Sequence, residues 1–87
     1  MTRAELNEII DTCFIHLMVM KQHYSKSREF ALDVIEQENL NQINDLLDDI
    51  TSGIERGGFT ELEACCIYDD TEFLWSEVSK EFEKVGY

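Results

Sequence analysis

The sequence predicts an all-α protein that folds as a compact antiparallel bundle of four to five helices. Three observations support this prediction. The 87 residues include no proline and only four glycines, so few positions interrupt a helix. Apolar residues recur every three or four positions along most of the chain, and short polar motifs that cap helix N-termini precede these repeats. A chain of this length holds one core, so we expect a single helical domain over residues 1–87.

The first predicted helix is long and amphipathic, and it runs from about Ala4 to Tyr24. Thr2 and Glu5 have the spacing of a capping box, in which each residue bonds the backbone N–H of the other. The apolar face that follows consists of Leu6, Ile9, Ile10, Cys13, Phe14, Leu17 and Tyr24.

The segment 27–56 contains either two helices or one kinked helix. Glu38 and Asn39 interrupt its apolar stripe, which favours two helices. Ser25-Lys26-Ser27 would cap the earlier one, and Asn39 with Gln42 would cap the later one. Their apolar stripes are Phe30, Ala31, Val34 and Ile35, and then Leu40, Ile43, Leu46, Leu47, Ile50 and Ile54.

The segment 59–68 carries signals for both a helix and a strand. Gly57 or Gly58 is expected to end the helix before it. Thr60 and Glu63 form a second capping box, which favours a short helix. An alternating pattern typical of a strand is formed by Leu62, Ala64, Cys66 and Tyr68. We favour the helix.

A last helix is predicted to begin after an acidic cap at Asp69 or Asp70. Lys80 and Lys84 would lie near its C-terminus, where the helix dipole favours cations. Its apolar face consists of Leu74, Val78, Phe82 and Val85.

The formal net charge of −12 is concentrated in the middle of the chain. Residues 1–32 carry four acids and four bases, whereas residues 33–72 carry twelve acids and only one base, Arg56. Such a field repels nucleic acid and anionic lipid and attracts basic proteins. We therefore expect a basic protein partner and no direct nucleic-acid binding. A merely solvated, soluble face is the alternative explanation of the same charge run.

The sequence predicts a cytoplasmic protein with no membrane segment. No stretch approaches the roughly 20 apolar residues that a membrane span needs, and the N-terminus lacks the basic start of a signal peptide. Cys13, Cys65 and Cys66 show no metal or redox spacing, so we expect them to be reduced and buried.

No pattern in the chain predicts catalysis, a metal site or another cofactor. His16 and His23 lie on one side of the first helix, but a metal ion would need two further ligands. Asp48, Asp49 and Gly53 do not form a calcium loop, because Ile50 takes the place of an oxygen ligand. The protein is expected to act by binding, not as an enzyme.

The predicted partner-binding residues are the acids of the middle of the chain and one aromatic residue. Trp75 lies about 100° from the apolar face of the last helix, so it is either a half-exposed interface anchor or packed under a neighbouring helix. The complete set is Asp45, Asp48, Asp49, Glu55, Glu61, Glu63, Asp69, Asp70 and Trp75.

The run Ile67-Tyr68-Asp69-Asp70, followed by Leu74, Glu77-Val78 and Phe82-Glu83-Lys84-Val85, resembles the C-terminal end of colicin D-type immunity proteins. The members of that family are small, acidic, helical proteins that neutralise a tRNA-cleaving toxin domain. The resemblance implies that a middle helix and the acidic turn after it occupy the basic cleft of the nuclease. Residues 40–54 and 55–63 take the corresponding place here, with Gly57-Gly58 where the family often has a proline.

Three functions are compatible with these features. The first is an immunity or antitoxin protein that occludes the basic active-site cleft of a nuclease toxin by mimicking nucleic acid. The second is a phage-encoded anti-restriction or anti-CRISPR protein that uses the same acidic mimicry. The third is a helical adaptor or oligomerisation module with apolar contacts. When free, the protein is expected to be a monomer or a weak homodimer.

Overall fold

In the computed structural model, residues 2–26 and 32–84 are described, and they contain three α-helices. Helix α1 spans Arg3–Lys26, α2 spans Val34–Glu55 and α3 spans Glu61–Lys84. None of the described residues forms a strand. The predicted all-α class is confirmed, and the predicted number of four to five helices is wrong.

The direction of each helix follows from contacts near the helix ends. The Asn39 side chain, near the start of α2, donates to the Tyr24 hydroxyl near the end of α1, at 3.3 Å. These two helices are therefore antiparallel. His23 Nε2, near the end of α1, lies 3.1 Å from Glu81 Oε2 near the end of α3. Helices α1 and α3 are therefore parallel, and α2 runs opposite to both.

One hydrophobic core lies between the three helices, and every helix contributes to it. Buried side chains repeat at three- and four-residue spacing on the inner face of each helix, as the sequence pattern predicts, but Phe14 and Ile54 of the predicted apolar faces are exposed. The buried set is Ile10, Cys13, Leu17, Met20 and Tyr24 from α1, Ile43, Leu46 and Ile50 from α2, and Ala64, Ile67, Leu74 and Val78 from α3.

Each helix begins with a capping box. In each, the side chain of the first residue accepts a hydrogen bond from the backbone N–H three residues later, and the carboxylate there accepts one from the first residue's N–H. The three pairs are Thr2 with Glu5, Asp33 with Glu36, and Thr60 with Glu63. The first and third boxes were predicted, and the second was missed.

The predicted break near Glu38 and Asn39 is wrong, because both residues lie inside α2. Asn39 occupies a position on the inner side of the helix, where its amide bonds the Tyr24 hydroxyl. A polar residue can interrupt an apolar stripe without ending a helix when it finds such a partner. Val34 and Ile35, assigned to the apolar stripe of a separate helix, are exposed, whereas Phe30 and Ala31 lie outside the described residues.

The predicted cap at Asp69 or Asp70 is also wrong, since both residues lie in the middle of α3. The segment 59–68 contains no strand, and the helix that begins at Glu61 continues through it to Lys84. The continuous helix was not predicted because Thr71, a polar residue, interrupts the apolar spacing between Ile67 and Leu74. Thr71 is nevertheless fully buried on the inner face of α3.

Two glycines end α2, as predicted. Gly57 and Gly58 have φ angles of +99° and +149°, a region that side chains disfavour. The Gly58 N–H donates to the Gly53 carbonyl at 2.9 Å, and the Arg3 guanidinium donates to the Gly57 carbonyl at 2.8 Å. Phe59 then folds back so that its ring covers Gly53, where a Cβ atom would collide with it. This turn fixes how α3 leaves α2.

Candidate functional site

The charge of the described helices differs sharply between α1 and the other two. Helix α1 contains three acids and three bases. Helix α2 contains six acids and no base, and α3 contains eight acids and two lysines. The acidic field predicted from the sequence is therefore carried by α2 and α3, while α1 is electrically balanced.

The largest concentration of predicted site residues lies along the groove between α2 and α3. An open pocket of about 350 Å³ occupies one end of this groove. Its walls are Asp49 and Ser52 from α2, Arg56 from the turn after α2, and Leu62, Glu63, Cys66 and Ile67 from α3. Carboxylates thus stand at the edge of the pocket, and apolar side chains form much of its lining.

Two further acids extend this arrangement along the helices. Asp45 lies one turn before Asp49 on the same face of α2, and Asp70 lies one turn after Cys66 on the same face of α3. Because the helices are antiparallel, both steps lead in the same direction along the groove. We call the set Asp45, Asp49, Glu63 and Asp70, with the pocket between them, the α2–α3 groove.

Arg56 is the only base in either wall of the pocket, and its guanidinium pairs with the Glu63 carboxylate. Glu63 also accepts from the backbone N–H of Thr60 at 3.0 Å. The Thr60 backbone, the Thr60 hydroxyl and Arg56 together hold the pKa of Glu63 below its ordinary value. Glu63 therefore stays ionised at lower pH than a free glutamate.

The remaining predicted acids are exposed but point elsewhere. Asp48 and Glu55 lie two turns apart on one face of α2, about 100° from Asp49 and away from the groove. Glu61 lies in the first turn of α3. Asp69 lines a pocket on the opposite flank of α3, toward α1. Of the eight predicted acids, Asp49 and Glu63 therefore line the pocket, and Asp45 and Asp70 lie on the same helix faces one turn away.

Trp75 lies outside the α2–α3 groove, on the side of α3 that faces α1. Its ring stacks on the His16 imidazole with centroids 4.3 Å apart and planes 19° apart. Its edge contacts the Phe82 ring at 5.8 Å. Trp75 is partly buried by these contacts and packs against the core, which corresponds to the second of the two roles expected for it.

The cysteines differ from expectation in part. Cys13 is buried in the core, and burial raises the pKa of its thiol. Cys65 and Cys66 are exposed, so the prediction that they are buried is wrong. They follow each other on the outer half of α3, and Cys66 lines the α2–α3 groove as one of its less polar side chains.

Sequence reasoning missed several residues that belong to this surface. Leu62 lines the pocket and has 74% of its surface exposed. Glu38 and Glu77 fall on the groove-facing sides of α2 and α3 by their spacing from Asp45 and Asp70. Glu38 lies seven residues before Asp45, and Glu77 lies seven residues after Asp70, a spacing of about two helical turns. The first relation was missed because a helix break was predicted at Glu38 and Asn39.

The described residues contain no other arrangement that suggests chemistry. No group of three or more histidine, cysteine or acidic side chains among them has the proximity that a metal site needs. His16 faces Glu72 at 3.9 Å and His23 faces Glu81 at 3.1 Å, and both pairs lie between α1 and α3. None of the described helices is both long and apolar enough to cross a membrane.

No protein-family model, no curated protein and no solved structure matches this chain.

Proposed function

We propose that this protein is an immunity or antitoxin protein, without enzymatic activity of its own, that binds the basic active-site cleft of a nuclease toxin through the α2–α3 groove. In this role it occupies the cleft that would otherwise bind tRNA. Its carboxylates take the places of the phosphates, and the toxin is inactive while the complex persists.

One observation carries the proposal: acids from two different helices meet along a single groove that is lined by apolar side chains. A solvated surface needs charge, but it does not need carboxylates gathered on both sides of an apolar pocket. Asp49 and Glu63 flank the pocket next to Leu62 and Ile67. Lysine and arginine side chains fit such a pocket, because the aliphatic stem can pack on the apolar lining while the cationic group bonds a carboxylate.

Arg56 supports this assignment from within the chain. Its guanidinium already lies at the pocket and pairs with Glu63, so the pocket accommodates the group that a basic partner would present. Helices α2 and α3 themselves contain no arginine. A partner arginine would enter beside Arg56, pair with Asp49 or Asp45, and compete for Glu63.

The mechanism is electrostatic occlusion. The excess of acids on α2 and α3 attracts a basic protein before contact, which raises the association rate. After contact, charge-assisted hydrogen bonds from arginine and lysine to the groove carboxylates hold the complex. Asp48 and Glu55, which face outward from α2, add to the attracting field without belonging to the groove.

The choice of a nuclease toxin as the partner rests on two supports. A nuclease must present cations to bind phosphates, so its cleft has the charge that this groove complements. The resemblance of the α3 segment to colicin D-type immunity proteins gives the second support. Ile67, Leu74 and Val78 of that segment belong to the core, while Asp70 belongs to the groove. An anti-defence protein that binds a restriction or CRISPR nuclease is the other candidate that the groove favours.

The test begins with the native operon. The tagged protein is purified from cells that express it with its neighbouring genes, and the bound protein is assayed for tRNA cleavage. We expect a basic ribonuclease whose activity falls to zero at equal molar amounts of this protein. A bound restriction or CRISPR nuclease would instead assign the anti-defence role, and a bound protein without nuclease activity would contradict both.

Charge reversal then locates the surface. Asp45→Lys with Asp49→Lys should weaken the complex by at least about thirtyfold, since loss of one side of a buried charge pair costs about 2–5 kcal/mol. Asp48→Lys with Glu55→Lys is the matched control, because it makes the same charge change on another face of the same helix. Equal losses in the two variants would show that net charge alone matters and would remove the groove from the mechanism.

A further inference from the structure

A second surface of the molecule has the opposite character to the groove. Between Asp11 and Lys21 the sequence holds no aspartate, glutamate, lysine or arginine. The outer side of α1 in this interval carries four large apolar side chains that the bundle leaves exposed. These are Phe14, Ile15, Met18 and Val19, with 43%, 60%, 44% and 41% of their surfaces exposed. We call these four residues the α1 patch.

The α1 patch is larger than the scattered apolar residues of ordinary surfaces. Ile15 and Met18 lie one turn apart at its centre, and Phe14 and Val19 lie on either side of them. A cluster of this kind commonly marks a contact with another molecule. The described parts of α2 and α3 leave this side of α1 uncovered, so a molecule that binds it comes from outside the described residues.

The charges of α1 indicate what that occupant is. Its first half carries Arg3 and the three acids Glu5, Glu8 and Asp11, so it is negative overall, and its second half carries only the lysines Lys21 and Lys26. A second copy of α1 laid antiparallel on the first brings the acidic half of each against the basic half of the other. A parallel arrangement would place acids against acids. The helix is therefore complementary to itself in one orientation.

The rest of the molecule favours the same face. Two copies that approached through α2 or α3 would bring surfaces with a large excess of acids together, and like charges repel. Helix α1 carries equal numbers of acids and bases, so it is the helix on which two copies meet with least repulsion.

We propose that the protein forms a symmetric homodimer through antiparallel contact of the two α1 patches. The symmetry axis passes between Ile15 and Met18, so that Ile15 of each copy faces Met18 of the other. In this register Asp11 lies beside Gln22 of the second copy, and Lys21 lies beside its Thr12, one residue from its Asp11. A twofold contact of this kind uses the same patch on both copies and closes on itself.

The dimer is weak, because a patch on a single helix buries less area than the roughly 800 Å² per partner of a stable complex. It leaves the α2–α3 groove open on each copy, so a dimer carries two such grooves. The inference does not depend on the function proposed above.

Sedimentation equilibrium of the full chain over a wide concentration range tests the proposal. We expect the average mass to rise from one to two copies. Ile15→Glu should weaken the dimer by about tenfold or more, the factor that corresponds to losing one buried aliphatic side chain. Circular dichroism of the same sample checks that the exposed substitution leaves the helix content intact.

Leu62→Glu is the matched control, because it places the same charge at an exposed apolar position on α3. It should leave the dimer intact. A monomer at every concentration, or equal loss from both variants, would overturn the proposal, as would a monomer that binds lipid vesicles through the α1 patch.

The antiparallel orientation has its own test. Asp11→Lys or Lys21→Glu alone should weaken the dimer, because each places like charges side by side. The double variant should regain the affinity of the original protein, since it exchanges the two charges and restores their attraction. No recovery in the double variant would contradict the antiparallel register.

Discussion

Helix α1 and the α2–α3 pair are built on one core but present opposite surfaces. The outer side of α1 is apolar at its centre and balanced in charge, whereas α2 and α3 expose acids along a groove. Both regions bury the same kinds of side chain at the same spacing, so the difference is not required by folding. The residues on the outer surfaces can therefore vary independently of the core. Each can be changed while the other, and the core, remain.

The largest effect is expected where the two regions are joined. Leu17 is completely buried between the helices, and Leu17→Ala should lower the free energy of unfolding by about 2–5 kcal/mol. Urea unfolding followed by circular dichroism and by Trp75 fluorescence should give one coincident transition. Val19→Ala, on the exposed side of the same helix, is the control and should cost much less. Two separate transitions would mean that α1 and the α2–α3 pair do not share a single core.

A smaller effect is expected at the turn that sets the width of the α2–α3 groove. Gly53→Ala should destabilise the protein by about 1–3 kcal/mol, because the new methyl group meets the Phe59 ring. Alanine is favoured over glycine in a helix by about 1 kcal/mol, so propensity alone predicts the opposite sign. Ser52→Ala, on the exposed side of α2, is the control and should raise the free energy of unfolding slightly, as helix propensity predicts. Urea unfolding measures this free energy for both variants. A Gly53→Ala variant that is more stable than the original protein would show that Phe59 does not pack on this glycine in solution.

Much of the helical structure, but not the number of helices, could be predicted from the sequence. Apolar spacing and capping boxes predicted the helical class, the start of α1 and the glycine end of α2. The helix count failed at Asn39 and Thr71, where polar side chains sit on inner faces and interrupt the apolar pattern. Hydrophobicity alone cannot predict that the Asn39 side chain bonds the hydroxyl of Tyr24, fifteen residues away in the sequence.

The sequence predicted which acids are present in the candidate site but not how they are arranged. The sequence located the acids, because charge is read directly from composition. It did not divide the groove acids Asp45 and Asp49 from the outward-facing Asp48, since that division depends on which side of α2 packs against α3. Nor did it place Leu62 beside them, because an exposed apolar residue cannot be distinguished from a core residue by its type.

Ionic strength should change the two proposed interactions in opposite directions. Salt screens the attraction between the acidic groove and a basic partner, so association should slow as ionic strength rises. The α1 dimer brings together two copies that each carry a formal charge of −12, so the same screening should strengthen it by several-fold. Stopped-flow association and sedimentation measure the two effects. A dimer that dissociates in salt would show that charge attraction, and not the α1 patch, holds it.

The smallest effects are expected at two capping boxes, one in each region. Glu5 at the start of α1 and Glu63 at the start of α3 have the same role, and hydrogen bonds with Thr2 and Thr60 hold the pKa of each carboxyl below its ordinary value. A carboxyl with a lowered pKa stabilises the folded state above its unfolded pKa. That contribution is lost as the pH falls through the folded value.

Glu5→Gln and Glu63→Gln should therefore each lower the thermal midpoint slightly at neutral pH and have no effect once the carboxyls of the original protein are protonated. Glutamine preserves an acceptor for the capping box and removes only the charge. The loss should be greater at Glu63, because the Arg56 guanidinium pairs with that carboxylate, whereas the N-terminal charge has the smallest of the influences on the pKa of Glu5. In an Arg56→Gln background the difference between the two substitutions should shrink. If Glu63→Gln instead raises the thermal midpoint at neutral pH, the repulsion between Glu63 and the other groove acids destabilises the protein by more than the capping box and the Arg56 pair stabilise it.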